Sequence, residues 1–339
     1  MKSDLPVDAA ALESFGKKCN SLRKEIAKIV VGQDAVIEQL LLAILAKGHA
    51  LLVGVPGLAK TLMVSTLSRV LHLGFKRIQF TPDLMPSDIT GTEVIQDDPV
   101  TRLRAFKFLP GPIFSNLVLA DEINRTPPKT QAALLEAMQE RKVTIGGVDH
   151  KLPSPFFVLA TQNPIEQEGT YPLPEAQLDR FLFLIKVGYP TDMEEDEIMR
   201  RSSLDMPELQ TVLDGGEIEE LQRMVRQILV SDSVLEYARK ITRASRPGTE
   251  EAASFAGKWI QWGAGPRAST SLILSGKARA ALHGRAHVTP QDIETVAYPV
   301  LRHRILPSFT AQADGIGPDD ITRKILDEVK AKLPQNQSA

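Results

Sequence analysis

The chain has 339 residues, more than one hydrophobic core usually supports, so we expect two domains. Hydrophobic residues make up 43% and charged residues 24%, which is ordinary for a soluble globular protein. The net charge of −2 provides no general basic field for nucleic acid or anionic membranes, and the single cysteine, Cys19, excludes internal disulfides. Because the N-terminus is polar and no apolar run is long enough to span a bilayer, we expect a cytoplasmic protein.

The first half of the chain alternates between helical and strand patterns. Helices are predicted over 8–31 and 34–46, and five short apolar runs follow them. This alternation predicts an α/β fold with a parallel sheet covered by helices on both faces. The predicted strands lie at 50–53, 77–81, 117–121, 156–161 and 182–187.

Two stretches interrupt this alternation. Residues 82–115 are rich in Pro and Gly, and within them 101–108 alternate like a strand. Residues 141–155 carry two short strand patterns around Gly146-Gly147, which predicts a β-hairpin. Long segments with their own strand pattern usually carry function, so we interpret both stretches as insertions that project from the core.

The sequence turns helical after Tyr189-Pro190. We therefore expect a first domain over 1–189 and a second, all-α domain over 190–339 with a core of its own. Three aromatic residues are expected to fill that second core: Phe255, Trp259 and Trp262. The predicted helices lie at 191–201, 216–230, 232–245, 250–262, 268–283, 290–300 and 319–333.

The most informative segment is a glycine-bearing turn between an apolar strand and a predicted helix. It reads Gly54-Val55-Pro56-Gly57-Leu58-Ala59-Lys60-Thr61 and directly follows the strand 50–53. A loop of this kind wraps backbone N–H groups around nucleotide phosphates, with the lysine on the β/γ oxygens and the threonine hydroxyl on Mg²⁺. Alanine precedes the lysine where the strict motif has glycine, so a chance turn is the alternative for this segment alone.

Two adjacent carboxylates follow another buried strand. The apolar run 117–120 ends in Asp121-Glu122, at the carboxyl edge where α/β sheets bind ligands. Phosphoryl transfer needs a phosphate cradle, a metal and a polarised nucleophile. We therefore expect Asp121 to complete the Mg²⁺ sphere through water, and Glu122 to orient and deprotonate the attacking water. A solvated strand end is the alternative for the pair taken alone.

Three further polar residues are candidates for completing this site. Asn163 follows the strand 156–161 and could hydrogen-bond the γ-phosphate or the attacking water, although an Asn-Pro turn would give the same pattern. Arg180 precedes the last strand; from the opposite edge of the domain it would reach a nucleotide bound by a neighbouring chain. A surface arginine paired with Asp179 is the alternative. Arg267 begins a predicted lid helix and could contact the γ-phosphate from there.

Five segments together closely resemble the MoxR family of AAA+ ATPases. The segments are 54–61, 119–131, 134–140, 160–164 and 173–181. The resemblance covers almost the whole chain, from about 25 to 335. Alanine before the lysine agrees with this family, so it no longer counts against a phosphate-binding loop.

The resemblance implies an AAA+ αβα P-loop domain with a five-stranded parallel sheet, followed by a helical lid, in subunits that form a ring, most often a hexamer. It implies ATP and Mg²⁺ as cofactors and ATP hydrolysis as the activity. It assigns Walker A to Lys60 and Thr61, Walker B to Asp121 and Glu122, sensor 1 to Asn163, the arginine finger to Arg180 and sensor 2 to Arg267. The other nucleotide-binding residues would be Val31, Gly32 and Gln33 at the adenine, and Gly54, Val55, Pro56, Gly57, Leu58, Ala59 and Leu62 in and beside the loop.

The resemblance also implies partners. Members of this family are thought to act as chaperone-like ATPases with proteins that carry a von Willebrand factor A domain, in metal or cofactor insertion and complex maturation. Because this sequence contains no such domain, we expect the partner to be a separate chain. The two insertions resemble the helix-2 insert and the pre-sensor-1 hairpin of the clade that includes this family.

Three other functions stay open at this point. A nucleic-acid motor needs a basic surface with aromatic residues, and the hairpin 141–155 offers Arg141, Lys142 and Lys151 with no aromatic among them. A small-molecule kinase or GTPase is disfavoured because the Asn-Lys-x-Asp guanine motif is missing and a trans arginine has no use in a monomer. A nucleotide-gated scaffold that barely hydrolyses ATP fits the same motifs.

Overall fold

The computed structural model describes residues 9–97, 104–165 and 169–332. In its first half the elements are α1 (Ala9–Ala27), α2 (Asp34–Leu45), β1 (Ala50–Val53), α3 (Lys60–Val70), β2 (Phe75–Gln79), α4 (Pro86–Thr90), β3 (Gly91–Asp97), β4 (Arg104–Pro110), β5 (Leu117–Asp121), α5 (Pro128–Glu140), β6 (Lys142–Ile145), β7 (Val148–Lys151), β8 (Phe157–Gln162), α6 (Glu175–Leu178) and β9 (Phe183–Lys186). In its second half they are α7 (Asp192–Arg201), α8 (Gly215–Gln227), α9 (Asp232–Ala244), α10 (Ala256–Trp259), β10 (Ile260–Trp262), α11 (Pro266–Leu282), α12 (Pro290–Leu301), β11 (Leu306–Pro307), α13 (Phe309–Ala313) and α14 (Pro318–Ala331).

A five-stranded parallel sheet in the order β2-β5-β8-β1-β9 confirms the predicted α/β class. The central strands are short apolar runs buried on both faces, as a parallel sheet between helices requires. Since β8 lies between β5 and β1, the carboxyl ends of these three strands meet at one edge. The sheet therefore brings the loop after β1 close to the carboxylates that end β5.

The edge strand β2 begins and ends two residues earlier than predicted, at Phe75–Gln79. Its register with β5 pairs Phe75 with Leu117 and Gln79 with Asp121. The polar residue Lys76 concealed the start of this strand at Phe75, because an edge strand exposes side chains that an apolar pattern does not detect.

Both predicted insertions contain a pair of antiparallel strands, and the first also contains the short helix α4. β6 and β7 join through Gly146 and Gly147, whose φ angles of 58° and 81° suit the two-residue hairpin turn. β3 pairs with β4 along seven residue pairs, and the predicted strand residues 101–103 lie outside the described ranges. The Phe108 ring stacks on His150 at 4.0 Å, so the two hairpins contact each other.

The second half is helical, but one predicted helix is wrong. Only 256–259 of the predicted helix 250–262 are helical, and the next residues form β10, which pairs with β11. Trp262 lies on this ribbon with 72% of its surface exposed, so it does not fill a core as expected, whereas Trp259 is partly buried and packs against Phe255. Cross-strand pairing with a distant segment decided the local structure here.

The expectation of a separate core for the helical half is also wrong. One continuous buried cluster extends from α1 and α2, across one face of the sheet, to α8, α9, α11, α12 and α14. A second cluster covers the opposite face of the sheet beneath α5. None of the described helices combines the length and apolarity needed to cross a bilayer.

His49, directly before β1, is a buried polar crosslink in the first half. Its Nδ1 accepts a hydrogen bond from the Val158 amide at 3.0 Å, and its Nε2 donates to the Met138 carbonyl at 3.1 Å. Burial lowers the pKa of His49 to about 4, so the imidazole is neutral in the native protein.

Candidate active site

The loop between β1 and α3 is shaped by three residues with little or no side chain. Gly57 and Ala59 adopt left-handed conformations with φ of 85° and 53°. A Cβ on Gly57 would meet no atom within 4 Å, so the loop is open above it. A Cβ on Gly54 would lie 2.6 Å from the Val187 carbonyl oxygen, so only glycine lets the loop pass this close to the end of β9.

The start of α3 is suited to binding an anion. It has no side-chain cap and no acidic residue in its first turn, which leaves its N–H groups and its positive dipole end available. The Lys60 ammonium donates to the carbonyls of Val55, at 3.2 Å, and of Gly54. Partial burial lowers the pKa of Lys60, and Asp121 and Glu122 oppose this shift.

Thr161 on β8 binds the Asp121 carboxylate and the Glu122 backbone. Its hydroxyl donates to Asp121 Oδ1 at 2.5 Å and accepts from the Glu122 amide at 2.9 Å. Glu122 has a left-handed φ of 59°, which is costly for a residue with a side chain and which this bond helps to hold. Asn163 follows the same strand, is 95% buried and lines the same cavity.

Two residues of β2 also hold the carboxylates of Asp121 and Glu122, and the sequence analysis missed both. Arg77 donates to Asp121 Oδ2 through Nε at 3.0 Å and through a terminal nitrogen at 2.6 Å, and it also donates to Gln79 at 2.7 Å. Gln79 in turn donates to Glu122 Oε2 at 2.8 Å, and Arg125 lies 3.2 Å from the same oxygen. Their spacing of two residues, which puts them on one face of a strand, was the available signal.

Two cavities meet at the loop. The first, of about 340 Å³, is lined by loop residues and by Arg77, Asp121, Glu122, Thr161 and Asn163. The second, of about 530 Å³, is largely apolar and shares Gly57, Leu58, Ala59 and Leu62 with the first. Its other walls come from Lys28–Val31, Gln33, Pro190, residues 197–198, residues 201–202 and residues 204–207. The pair suits a ligand with a charged end and an apolar end.

The turn at 31–33 ties the second cavity to the start of the helical half. Gly32 and Gln33 both have left-handed φ angles, 66° and 60°, and Gln33 donates to the Gly188 carbonyl at 2.9 Å. A Cβ on Gly32 would clash with the Glu194 carboxylate at 2.2 Å. The sequence predicted Val31, Gly32 and Gln33 beside the adenine, and the structure places this turn at the apolar cavity.

The structure places Arg180 and Arg267 apart from these cavities. Both line a third cavity of about 370 Å³, between β9, α5, α2 and α11. Asp179 is held by Arg304 at 2.7 Å and lies 3.4 Å from Arg267. The proposed pairing of Arg180 with Asp179 is absent, and the Arg180 side chain has no hydrogen bond or ion pair among the described residues. That Arg267 contacts a γ-phosphate stays a prediction, because Arg267 does not line the cleft of its own chain.

The residues of the cleft fit a nucleoside triphosphate with Mg²⁺. The open loop, the uncapped helix start and the Lys60 ammonium suit phosphate oxygens. The Thr61 hydroxyl and the Asp121 carboxylate supply oxygen donors, which Mg²⁺ prefers, and both line the polar cavity.

Comparisons with known proteins agree with this geometry. Residues 49–183 match the family model for the ATPase family associated with various cellular activities (AAA), and 252–325 match the AAA lid domain. The chain is 46% identical to Chaperone MoxR1 of Mycobacterium tuberculosis, over 92% of this chain and 81% of that protein. It is 30% identical to Protein MoxR of Methylorubrum extorquens, over 95% and 97% of the two chains. The chain belongs to the MoxR family of AAA+ ATPases.

A solved structure supports the same assignment. The crystal structure of a candidate ATPase from Cytophaga hutchinsonii aligns with a TM-score of 0.86 and 43% identity, covering 94% of this chain and 96% of that one. Family membership supports ATP binding, ATPase activity and a chaperone-like role. Members of this family typically form oligomers.

Proposed function

We propose that this MoxR-family protein hydrolyses ATP at the interfaces of a ring, most simply a hexamer. We further propose that it uses this turnover to remodel or mature partner protein complexes, including by metal or cofactor insertion. The observation that carries the proposal is the division of the predicted site between two surfaces. Lys60, Asp121, Glu122 and Asn163 line one cleft, whereas Arg180 lines another cavity.

Each residue of the cleft has a role that its position supports. Lys60 and the N–H groups at the start of α3 would bind the β- and γ-phosphates, and Thr61 and Asp121 would hold Mg²⁺, which would neutralise phosphate charge. Glu122 orients and deprotonates the attacking water, and Asn163 hydrogen-bonds that water or the γ-phosphate. Thr161, Arg77 and Gln79 position the carboxylates.

Arg180 and Arg267 act together in trans. They line one cavity, and the Arg180 guanidinium has no partner in its own chain among the described residues. An arginine that stabilises charge on the transferred phosphoryl group contributes about 10³–10⁵ in rate, which explains why a single subunit would turn over slowly. The resemblance suggested that Arg267 works from the lid; its place beside Arg180 supports action on the neighbouring subunit's nucleotide.

The hairpins are the surfaces that we assign to the partner protein. Ile95 and Phe106 are directly opposed on β3 and β4, and 62% and 73% of their surfaces are exposed. An exposed apolar cross-strand pair on a projecting hairpin suits contact with a partially unfolded or immature protein. A separate chain with a von Willebrand factor A domain is the partner that the family resemblance implies.

Mixing two inactive variants tests the shared site. Glu122→Gln should bind ATP and assemble but turn over negligibly, and Arg180→Ala should bind ATP but hydrolyse it poorly. In a mixture, some interfaces combine an intact Glu122 with an intact Arg180 from the next subunit, so phosphate release should recover in part. If no mixing ratio recovers activity, the trans assignment is wrong. If the unaltered protein binds ATP without releasing phosphate, with or without a partner, the scaffold function replaces hydrolysis.

A further inference from the structure

Several cations gather around Arg180, where Asp179 lines the same cavity and Glu136 and Glu140 line a neighbouring one. Arg180, Arg267, Lys47 and Arg141 line the cavity of about 370 Å³, and Arg141 donates to the Lys47 carbonyl at 3.3 Å. Burial, and then the nearby charges of Arg226 and Arg141, lower the pKa of Lys47, whereas the nearby Glu219 carboxylate raises it. We call Lys47, Arg141, Arg180, Arg226 and Arg267 the cationic face.

Local structure explains why these cations are there, but only Arg267 among them has an acidic partner in an ion pair within the residues that the structure describes, Asp179 at 3.4 Å. Lys47 follows α2, Arg141 follows α5 and Arg226 is in the last turn of α8, and cations stabilise helix C-termini. Among the described residues, the side chains of Lys47, Arg180 and Arg226 make no ion pair. Like charges held this close favour a polyanionic partner.

The helix α7 carries the complementary charge at the rim of the nucleotide cavity. It buries no residue completely, and its inner side is fixed by Glu197 and Arg201, which pair at 2.6 Å and line the apolar cavity. Arg201 also donates to the Ala27 carbonyl at 2.8 Å, which fixes the helix against the end of α1. The orientation of α7 is therefore set.

The opposite side of α7 points to solvent. Asp192, Glu195, Asp196 and Met199 are spaced i, i+3, i+4 and i+7, so they share one helix face. The three carboxylates have no hydrogen-bond or ion-pair partner in the described part of the chain, and 60% of the Met199 surface is exposed. We call these four residues the acidic face.

We propose that the acidic face of one subunit docks against the cationic face of the next copy of this chain. The inference rests on the proposed function, because a trans Arg180 must approach the nucleotide of a neighbour, and α7 forms the wall of that neighbour's nucleotide cavity. Charge complementarity selects this pairing over contact between like faces and sets the head-to-tail direction that a ring needs. Met199 supplies an apolar contact within a charged rim.

Charge reversal tests the pairing. The first variant, Glu195→Lys/Asp196→Lys, makes the acidic face positive, and the second, Arg141→Glu/Arg226→Glu, makes the cationic face negative. A control reverses two exposed acids on another helix, Asp232→Lys/Glu236→Lys, and also breaks the Glu236–Lys240 ion pair of 2.9 Å, so its stability is measured alongside. Assembly in ATP and Mg²⁺ is measured by sedimentation velocity, and folding and ATP binding are checked by circular dichroism and a fluorescent ATP analogue.

Each reversed variant should need about tenfold or more protein to assemble, with the deficit shrinking as salt is raised. An equimolar mixture of the two should recover assembly, because every interface then joins opposite charges, and the control should assemble normally. If the reversed variants assemble like the unaltered protein, or if both fail and their mixture also fails while each binds ATP, the pairing is wrong. Loss of oligonucleotide binding by the second variant, with assembly unchanged, would assign the cationic face to nucleic acid instead. An unaltered protein that stays monomeric in ATP would refute the ring itself.

Discussion

Thr161 hydrogen-bonds both the Asp121 carboxylate and the Glu122 backbone, so replacing it by valine tests how the sheet positions these two residues. Thr161 is 99% buried, and its hydroxyl serves Asp121 as a donor and the Glu122 amide as an acceptor. Valine has nearly the same volume and leaves no cavity. Thr161→Val therefore removes the hydroxyl alone, whereas Thr161→Ser keeps the hydroxyl and removes a methyl group.

The structure sets the size of the effect. A hydrogen bond to a charged group contributes about 1.5–3 kcal/mol, and a buried N–H left without a partner costs about 1–3 kcal/mol. Asp121 keeps its bonds to Arg77, so the lower end of each range applies and we expect Thr161→Val to lower the free energy of unfolding by about 2.5 kcal/mol. Thr161→Ser should cost about 1 kcal/mol for the lost methyl group.

Catalysis should be affected separately from binding. Without the Thr161 bond, the left-handed Glu122 backbone can relax, and its carboxylate leaves the position from which it would reach the water. We expect kcat for ATP to fall at least about tenfold in Thr161→Val, equivalent to 1.4 kcal/mol, with little change in ATP affinity because the loop is untouched. Urea unfolding followed by circular dichroism, phosphate release and ATP titration measure the three quantities. Equal stability and equal kcat in the valine and serine variants would refute the reasoning.

Three further predictions follow from single features. Ala59→Gly should keep ATP affinity within about threefold, whereas Ala59→Val, which is β-branched at a positive φ, should weaken it clearly in a titration; equal affinities would contradict this. The pKa of His49 is about 4 in the native protein and 6.5 in the unfolded chain, so the unfolded chain binds a proton first as the pH falls. The free energy of unfolding should therefore decrease below pH 6.5, by about 2 kcal/mol near pH 5. His49→Gln should flatten this dependence in urea unfolding, and an unchanged slope would exclude His49 as its source. Ile95→Ser/Phe106→Ser should keep the basal ATPase rate but should no longer prevent a chemically denatured test protein from aggregating. If this variant prevents aggregation as well as the unaltered protein does, the hairpin does not bind such proteins.

The residues whose positions the sequence indicated belong to contiguous segments. The loop 54–61 follows β1 and the pair Asp121-Glu122 lies at the end of β5, so the strand–turn–helix order was enough to predict where they lie, whereas their chemistry stays a prediction. The two glycines of the hairpin 141–155 likewise defined its turn. The structure brings these separately predicted segments to one sheet edge, as the parallel topology requires.

The residues that it missed depend on which elements become neighbours in space. Arg77 and Gln79 reach the carboxylates only because β2 pairs with β5, and strand order is not encoded in either segment alone. The ribbon that replaced part of the predicted helix 250–262 forms because β11 lies beside it. Arg267 is a similar case, since its place beside Asp179 depends on how α11 packs against the core.

The hydrogen bonds of the cleft indicate where control of turnover would act. Asp121 and Glu122 are held from β8 by Thr161 and from β2 by Arg77 and Gln79, so their placement comes from the sheet itself. A preorganised donor frame of this kind needs little rearrangement when the reaction begins. Arg180 lies outside the cleft of its own chain. Under the proposed function, a partner that changes the contact between adjacent subunits would therefore change the rate without touching the nucleotide site.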